Sequence, residues 1–163
     1  HKLKKIQTTM IEWINEKFGT EFTEEQLINV KDFSLLWNIF ENLVCGNRCN
    51  VNRLEEKLNP IAFQIADFQE NFEYFQNRYI ENGTTNGRFE HLNFRNGDRK
   101  EFVANVLLGN ENITSAKVLA LTIIVYRFRN NLFHGLKNFI QIDQQEENFR
   151  NANQILKNIL THY

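Results

Sequence analysis

The stretch "VLALTIIVY", Val118–Tyr126, constrains the fold of this chain more than any other. Apart from Thr122 every position is apolar, so a helix built from it presents hydrocarbon on nearly every side and must be surrounded by other elements. The run is far short of the roughly 20 residues that a membrane span needs. It is the expected central helix of a soluble bundle, capped by Thr114 or Ser115 and closed by Gly135. The rest of the composition agrees. Proline occurs once, at Pro60, and the seven glycines cluster in turns, which leaves long uninterrupted helices. The expected class is all-α, with residues 1–163 as one domain.

The chain around that helix divides readily. Ile6, Met10, Trp13, Ile14 and Phe18 recur at helical spacing before Gly19. A short capped helix is expected from Thr23, followed by a second whose buried side is Phe33, Trp37, Phe40 and Val44. "NVNRLEEKLNP" makes one or two turns ending near Pro60. Ile61, Ile65, Phe68, Phe72, Phe75 and Tyr79 step by four and three, which predicts a single helix over 61–80. "ENGTTNGRFEHLNFRNGD" is too polar and too rich in turn formers for a helix, and reads as a long loop near residues 82–97 or a small hairpin. A short helix at "RKEFVANVLLGN", the central helix, and a last amphipathic helix through Phe149, Ala152, Leu156, Ile159 and Tyr163 complete the chain.

Net charge is −1, so the chain is neither a disordered tail nor a globally basic nucleic-acid binder. Any anion site has to be local. Cys45 and Cys49 are too few for a secreted disulfide scaffold and form no zinc site with histidines. The C-x3-C spacing around Gly46 permits a bridge, but free packing thiols are expected. The N-terminus has no signal-peptide core, and a cytoplasmic location is expected. The first residue is His1 and not methionine, which fits a start inside a longer sequence or an appended residue.

The polar end of the central helix, "YRFRNNLFHGLK", carries the candidate chemistry. Between Glu111 and Asp143 there is no acidic residue, while Lys117, Arg127, Arg129 and Lys137 all fall inside that interval. The sequence therefore implies a local positive charge with no neighbouring acid to neutralise it. On a regular helix Arg127, Asn130 or Asn131, and His134 share one face, and Arg129 points well away from His134. Cations at a helix C-terminus also stabilise its open carbonyls by about 0.3–1 kcal/mol, so charge alone does not make a site.

"RNNLFHG" resembles the R-x4-6-H motif of the HEPN superfamily, the higher eukaryotes and prokaryotes nucleotide-binding domains. There the arginine is followed by a polar residue, and the motif sits late in an apolar helix with one helix after it. The resemblance covers the motif closely and the rest as helical order, and implies a HEPN-like helical bundle with a buried central helix. Residue by residue it implies Arg129 as the motif arginine, Asn130 as its polar neighbour and His134 as the motif histidine. Arg127 satisfies the looser R-x6-H spacing. Glu41, in "FSLLWNIFENLV", stands near the place of an acidic residue on the family's early helix. Asn131 is a supporting residue, and Lys137 is expected to contact RNA. The position two after the histidine, a modified tyrosine in some members, is Leu136 here, so that form of regulation is not implied.

The resemblance implies a metal-independent endoribonuclease without a cofactor, acting as a toxin or defence effector. The residue types suit that chemistry, since His134 can act as acid or base, and Arg129 stays charged and can hold phosphate oxygens in bidentate fashion. One chain offers a single plausible catalytic histidine, because His91 lies in the loop as a solvated residue and His162 in a fraying C-terminus. A homodimer with a composite site is therefore expected. The alternative is a non-catalytic module of a defence or toxin-antitoxin system, binding RNA or nucleotide or fixing a dimer, with an antitoxin or defence partner. Few surplus cations are available for nonspecific RNA binding, which favours that alternative.

Overall fold

The computed structural model describes residues 8–132 and 140–163. The protein is all-α, with one hairpin of two-residue strands. Helix α1 is Met10–Phe18, started by a capping box between Thr9 and Glu12. Its buried side is Ile11, while Met10 and Trp13 stay exposed, so the expected apolar stripe is rotated. The Asn15 side chain explains the geometry: it bonds Thr20 and both backbone groups of Phe22, folding the chain back after Gly19.

The two helices expected after Thr23 are one, α2, Glu24–Leu43, with Thr23 and Gln26 forming its capping box. Phe33, Trp37, Phe40 and Val44 are buried as the spacing predicts. Beyond α2 the chain turns through Gly46 and Asn47, both at positive φ, and Cys45 and Cys49 are joined in a disulfide. The expectation of free thiols is corrected here. The left-handed turn brings the two Cα atoms to 5.2 Å, within bonding range. Asn50 then caps α3, Val51–Leu58.

The single helix expected over 61–80 is also corrected. Residues 61–64 are non-helical, Ile65–Asp67 form one 3-10 turn, and α4 is Gln69–Tyr79. Phe63 and Phe68 are buried without a continuous helix, edge to face at 5.5 Å, and His162 packs edge-on against Phe63 at 4.9 Å. The C-terminus is thereby seated and does not fray at His162.

After α4 come β1, Ile80–Glu81, and β2, Thr84–Thr85, antiparallel with Ile80 opposite Thr85. Asn82 and Gly83 supply the two positive-φ residues that a tight hairpin turn requires. One helical turn, α5, Gly87–Glu90, follows, so of the two alternatives expected for this segment the small hairpin forms, with a capped turn after it. Helix α6 is Lys100–Leu107, α7 is Thr114–Leu132, and α8 is Glu146–Leu160 after a 3-10 turn at Ile142–Gln145.

Helix α7 is the centre of the molecule. Its residues Val118–Val125 are all buried, and it packs against α3, α4, α6 and α8. Thr122 satisfies its hydroxyl inside this core by donating to the Val118 carbonyl at 2.7 Å. Helix α8 lies along α2 and presents Phe149, Ala152, Leu156 and Ile159 inward. Buried amides tie it to α4, where Asn71 donates to both Asn151 and Gln154. Among the described residues no helix is long and apolar enough to cross a membrane.

Candidate functional site at the end of the central helix

The last turns of α7 carry Arg127, Arg129, Asn130 and Asn131, and the four have different surroundings. Arg127 is only 1% exposed. Its Nε donates to the Leu92 carbonyl at 3.0 Å, its Nη1 to Asp98 Oδ2 at 2.9 Å and its Nη2 to Asn131 Oδ1 at 3.4 Å. Burial draws the guanidinium below its usual range, and the Asp98 carboxylate opposes that pull. The cluster thus has an acid after all, supplied from 29 residues upstream. Arg127 and Asn131 do share a face, as the spacing predicts, but that face grips the protein's own chain. Asn131 Nδ2 donates to the carbonyls of Leu92 and His91 at 3.0 and 3.4 Å.

Arg129 and Asn130 are both partly buried, and Arg129 Nη1 donates to Asn130 Oδ1 at 3.3 Å. His134, Lys137, Gly135 and Leu136 lie outside the described residues. Lys117 belongs to the opposite end of α7, where its ammonium sits 4.8 Å from the Phe72 ring centre, and so is not part of the cluster. Glu41 accepts a hydrogen bond from the Trp37 indole at 2.7 Å within α2.

Beside Asn131 and Leu132 opens a cleft of about 330 Å³. Tyr79, Phe128, Ile142 and Phe149, all buried, line it with hydrocarbon. Arg78, Arg88 and His91 line it with cationic or titratable groups, and Asn93, Asn131, Gln141, Gln145 and Asn148 with amides. None of these residues is acidic, and residues 133–139 contain no carboxylate. Three acids close to it in sequence are paired, Glu90 with Lys100 at 2.6 Å, Asp98 with Arg127 and Glu147 with Arg150, whereas Asp143 and Glu146 adjoin lining residues without lining the cleft themselves.

The cleft's placement follows from local structure. Asn86 caps α5 through Phe89 N–H and donates to the Arg78 carbonyl, so the turn carrying Arg88 is fastened to the end of α4 that carries Arg78. His91 is the C-cap of that same turn. Burial pushes the Tyr79 phenol well above its ordinary range, and the neighbouring Arg78 guanidinium, 5.9 Å from its ring centre, draws it back.

Sequence reasoning set His91 aside and did not single out Arg78 or Arg88, which lie far from the motif along the chain. The usable signal was their place in and just before the polar 82–97 segment, the longest interruption between helices. What these observations define is an all-α protein with an acid-free, amide-rich, cationic cleft at the end of its buried helix. No family model matches the chain, and neither a curated protein nor a solved structure matches it.

Proposed function

We propose that this protein is a metal-independent endoribonuclease of the HEPN kind, a toxin or defence effector, with its chemistry at the end of α7. The observation that supports this most is the absence of any carboxylate from a cleft lined by Arg78, Arg88 and His91, directly beside the supporting residue Asn131. A cleft of that sign concentrates phosphate and stabilises the charge that develops on a pentavalent phosphorus.

In this reading a base removes the 2′-hydroxyl proton, O2′ attacks the adjacent phosphorus, and the P–O5′ bond breaks as an acid protonates the leaving oxygen. The products are a 2′,3′-cyclic phosphate and a 5′-hydroxyl. His134 serves as one proton-transfer group and Arg129 holds phosphate oxygens, with Asn130 beside it. The second group comes from a second copy of the chain in a homodimer. That assembly is supported by Ile28, Leu35, Ile39 and Leu43, 46–68% exposed, which lie within one face of α2.

A second reading, a binding module without catalysis, is favoured by one observation: Arg127 and Asn131 hold the protein's own Leu92 and Asp98. Incubation of the full chain with labelled structured RNA in EDTA separates the two. The enzyme yields cyclic-phosphate ends, lost in His134→Ala and Arg129→Ala. Binding without cleavage in wild-type protein refutes the enzyme and leaves the module.

A further inference from the structure

The cleft's chemistry is more specific than a positive charge. Neither Arg78 nor Arg88 forms an ion pair with a carboxylate among the described residues, and the segments outside that range contain none. Arg78 adds a second feature: its guanidinium lies against the Tyr74 and Tyr79 phenols, while its Nε is buried without a hydrogen-bond acceptor. A buried donor is ordinarily satisfied, so an acceptor belonging to a bound group is the natural complement. Two forked guanidinium groups favour a phosphate, whose oxygens accept paired N–H bonds.

Phosphate alone would not use the remaining wall. Asn93 and Gln141 offer amides that both donate and accept, the requirement for reading the edge of a nucleobase, while the Gln145 oxygen is held by Asn148 Nδ2 at 2.6 Å. Tyr79, Phe128 and Phe149 are 2%, 7% and 4% exposed, so they form a narrow apolar floor against which a flat ring can rest by its edge. A volume near 330 Å³ is at the small end of ligand sites and admits one such unit. A base held within a duplex cannot enter it, because its edge is paired and its faces are stacked.

We infer that the cleft between α4, α5, α7 and α8 holds one unpaired ribonucleotide of an RNA chain, with its phosphate at Arg78 and Arg88 and its base at the amides of Asn93 and Gln141. The choice of RNA rests on the ribonuclease reading above, whereas the nucleotide unit rests on the cleft. The site thereby selects single-stranded or looped RNA over helical RNA. Arg88, exposed on a short turn, is the residue whose removal perturbs the fold least.

The test is a set of titrations of the full chain, followed by calorimetry, with uridine and adenosine monophosphates, inorganic phosphate, a single-stranded RNA octamer and the same octamer in duplex form. A mononucleotide is expected to bind at least tenfold more tightly than inorganic phosphate, and the single strand at least tenfold more tightly than the duplex. Arg88→Ala is expected to weaken both preferred ligands tenfold or more with an unchanged thermal midpoint, and Arg78→Met to do the same whenever it folds. Equal affinity for phosphate and mononucleotide overturns the inference, as does equal affinity for strand and duplex, or an Arg88→Ala protein that binds like wild type. The two proposals fail separately. Cleavage in EDTA that persists in Arg88→Ala without mononucleotide binding removes the ribonucleotide pocket alone. Arg88-dependent nucleotide binding without cleavage removes the nuclease alone.

Discussion

Arg127 and Asp98 meet at 2.9 Å inside the protein, the arginine on the central helix and the aspartate in the connection before α6. The same carboxylate oxygen also accepts the Arg95 backbone N–H, so one acid both neutralises the buried guanidinium and closes its own turn. Removing one partner of such a pair leaves the other charge buried and costs about 3–5 kcal/mol. Asp98→Ala should lose stability in that range by urea denaturation. Asp98→Ala/Arg127→Met should recover part of the loss, because the stranded cation is gone.

Glu41 is tied to Trp37, whose side chain is nearly enclosed. Glu41→Ala leaves the indole N–H without its acceptor and should cost about 1–3 kcal/mol, with a change in tryptophan emission. Glu41→Gln keeps an acceptor oxygen and should cost less than half as much. Equal losses in the two variants would assign the effect of Glu41 to something other than that hydrogen bond.

The Tyr79 phenol holds its proton more tightly in the folded state than in the unfolded chain, mainly because it is buried. Its contribution to stability is therefore complete below about pH 10, the ordinary phenol value, and declines as pH rises beyond it. Tyr79→Phe should move the alkaline unfolding midpoint to higher pH. Wild-type phenolate absorbance in the near ultraviolet should show one late-titrating group that the variant lacks.

Leu35 lies at the middle of the exposed aliphatic face of α2 and is 68% exposed. A charge placed there meets water in a lone chain but a neighbouring subunit in the proposed homodimer. Leu35→Asp should leave thermal stability of the monomer within about 0.5 kcal/mol while abolishing the dimer in sedimentation. A wild-type protein that sediments as a monomer at micromolar concentration removes the composite site.

The central helix was legible because a run such as Val118–Val125, apolar at every position but Thr122, has no solution but burial. The inward faces of α2 and α8 were legible for the matching reason, a stripe at helical period. Periodicity misled at Ile61 and Ile65, which stay only partly buried in an extended segment and a 3-10 turn, while Phe63, off the expected stripe, takes the buried place. The cysteine pair was misjudged because spacing permits a bridge but does not reveal the left-handed turn at Gly46 and Asn47 that closes it. The site was least legible. An acid-free interval is a one-dimensional property, and Asp98 reaches Arg127 across a fold that no spacing along the chain reveals. Arg78, Arg88 and His91 line the cleft beside Asn131 for the same tertiary reason.

The connection from Asn86 to Arg99 is an irregular segment stapled to the molecule's interior rod at Leu92 and Asp98. Segments of that kind ordinarily absorb insertions and drift in composition without penalty. In natural variants of this protein, extra or altered residues should gather at the bulge of Asn93–Gly97, while Leu92 keeps its register and Asp98 its carboxylate, because a shift of one position there would unfasten the wall that carries His91.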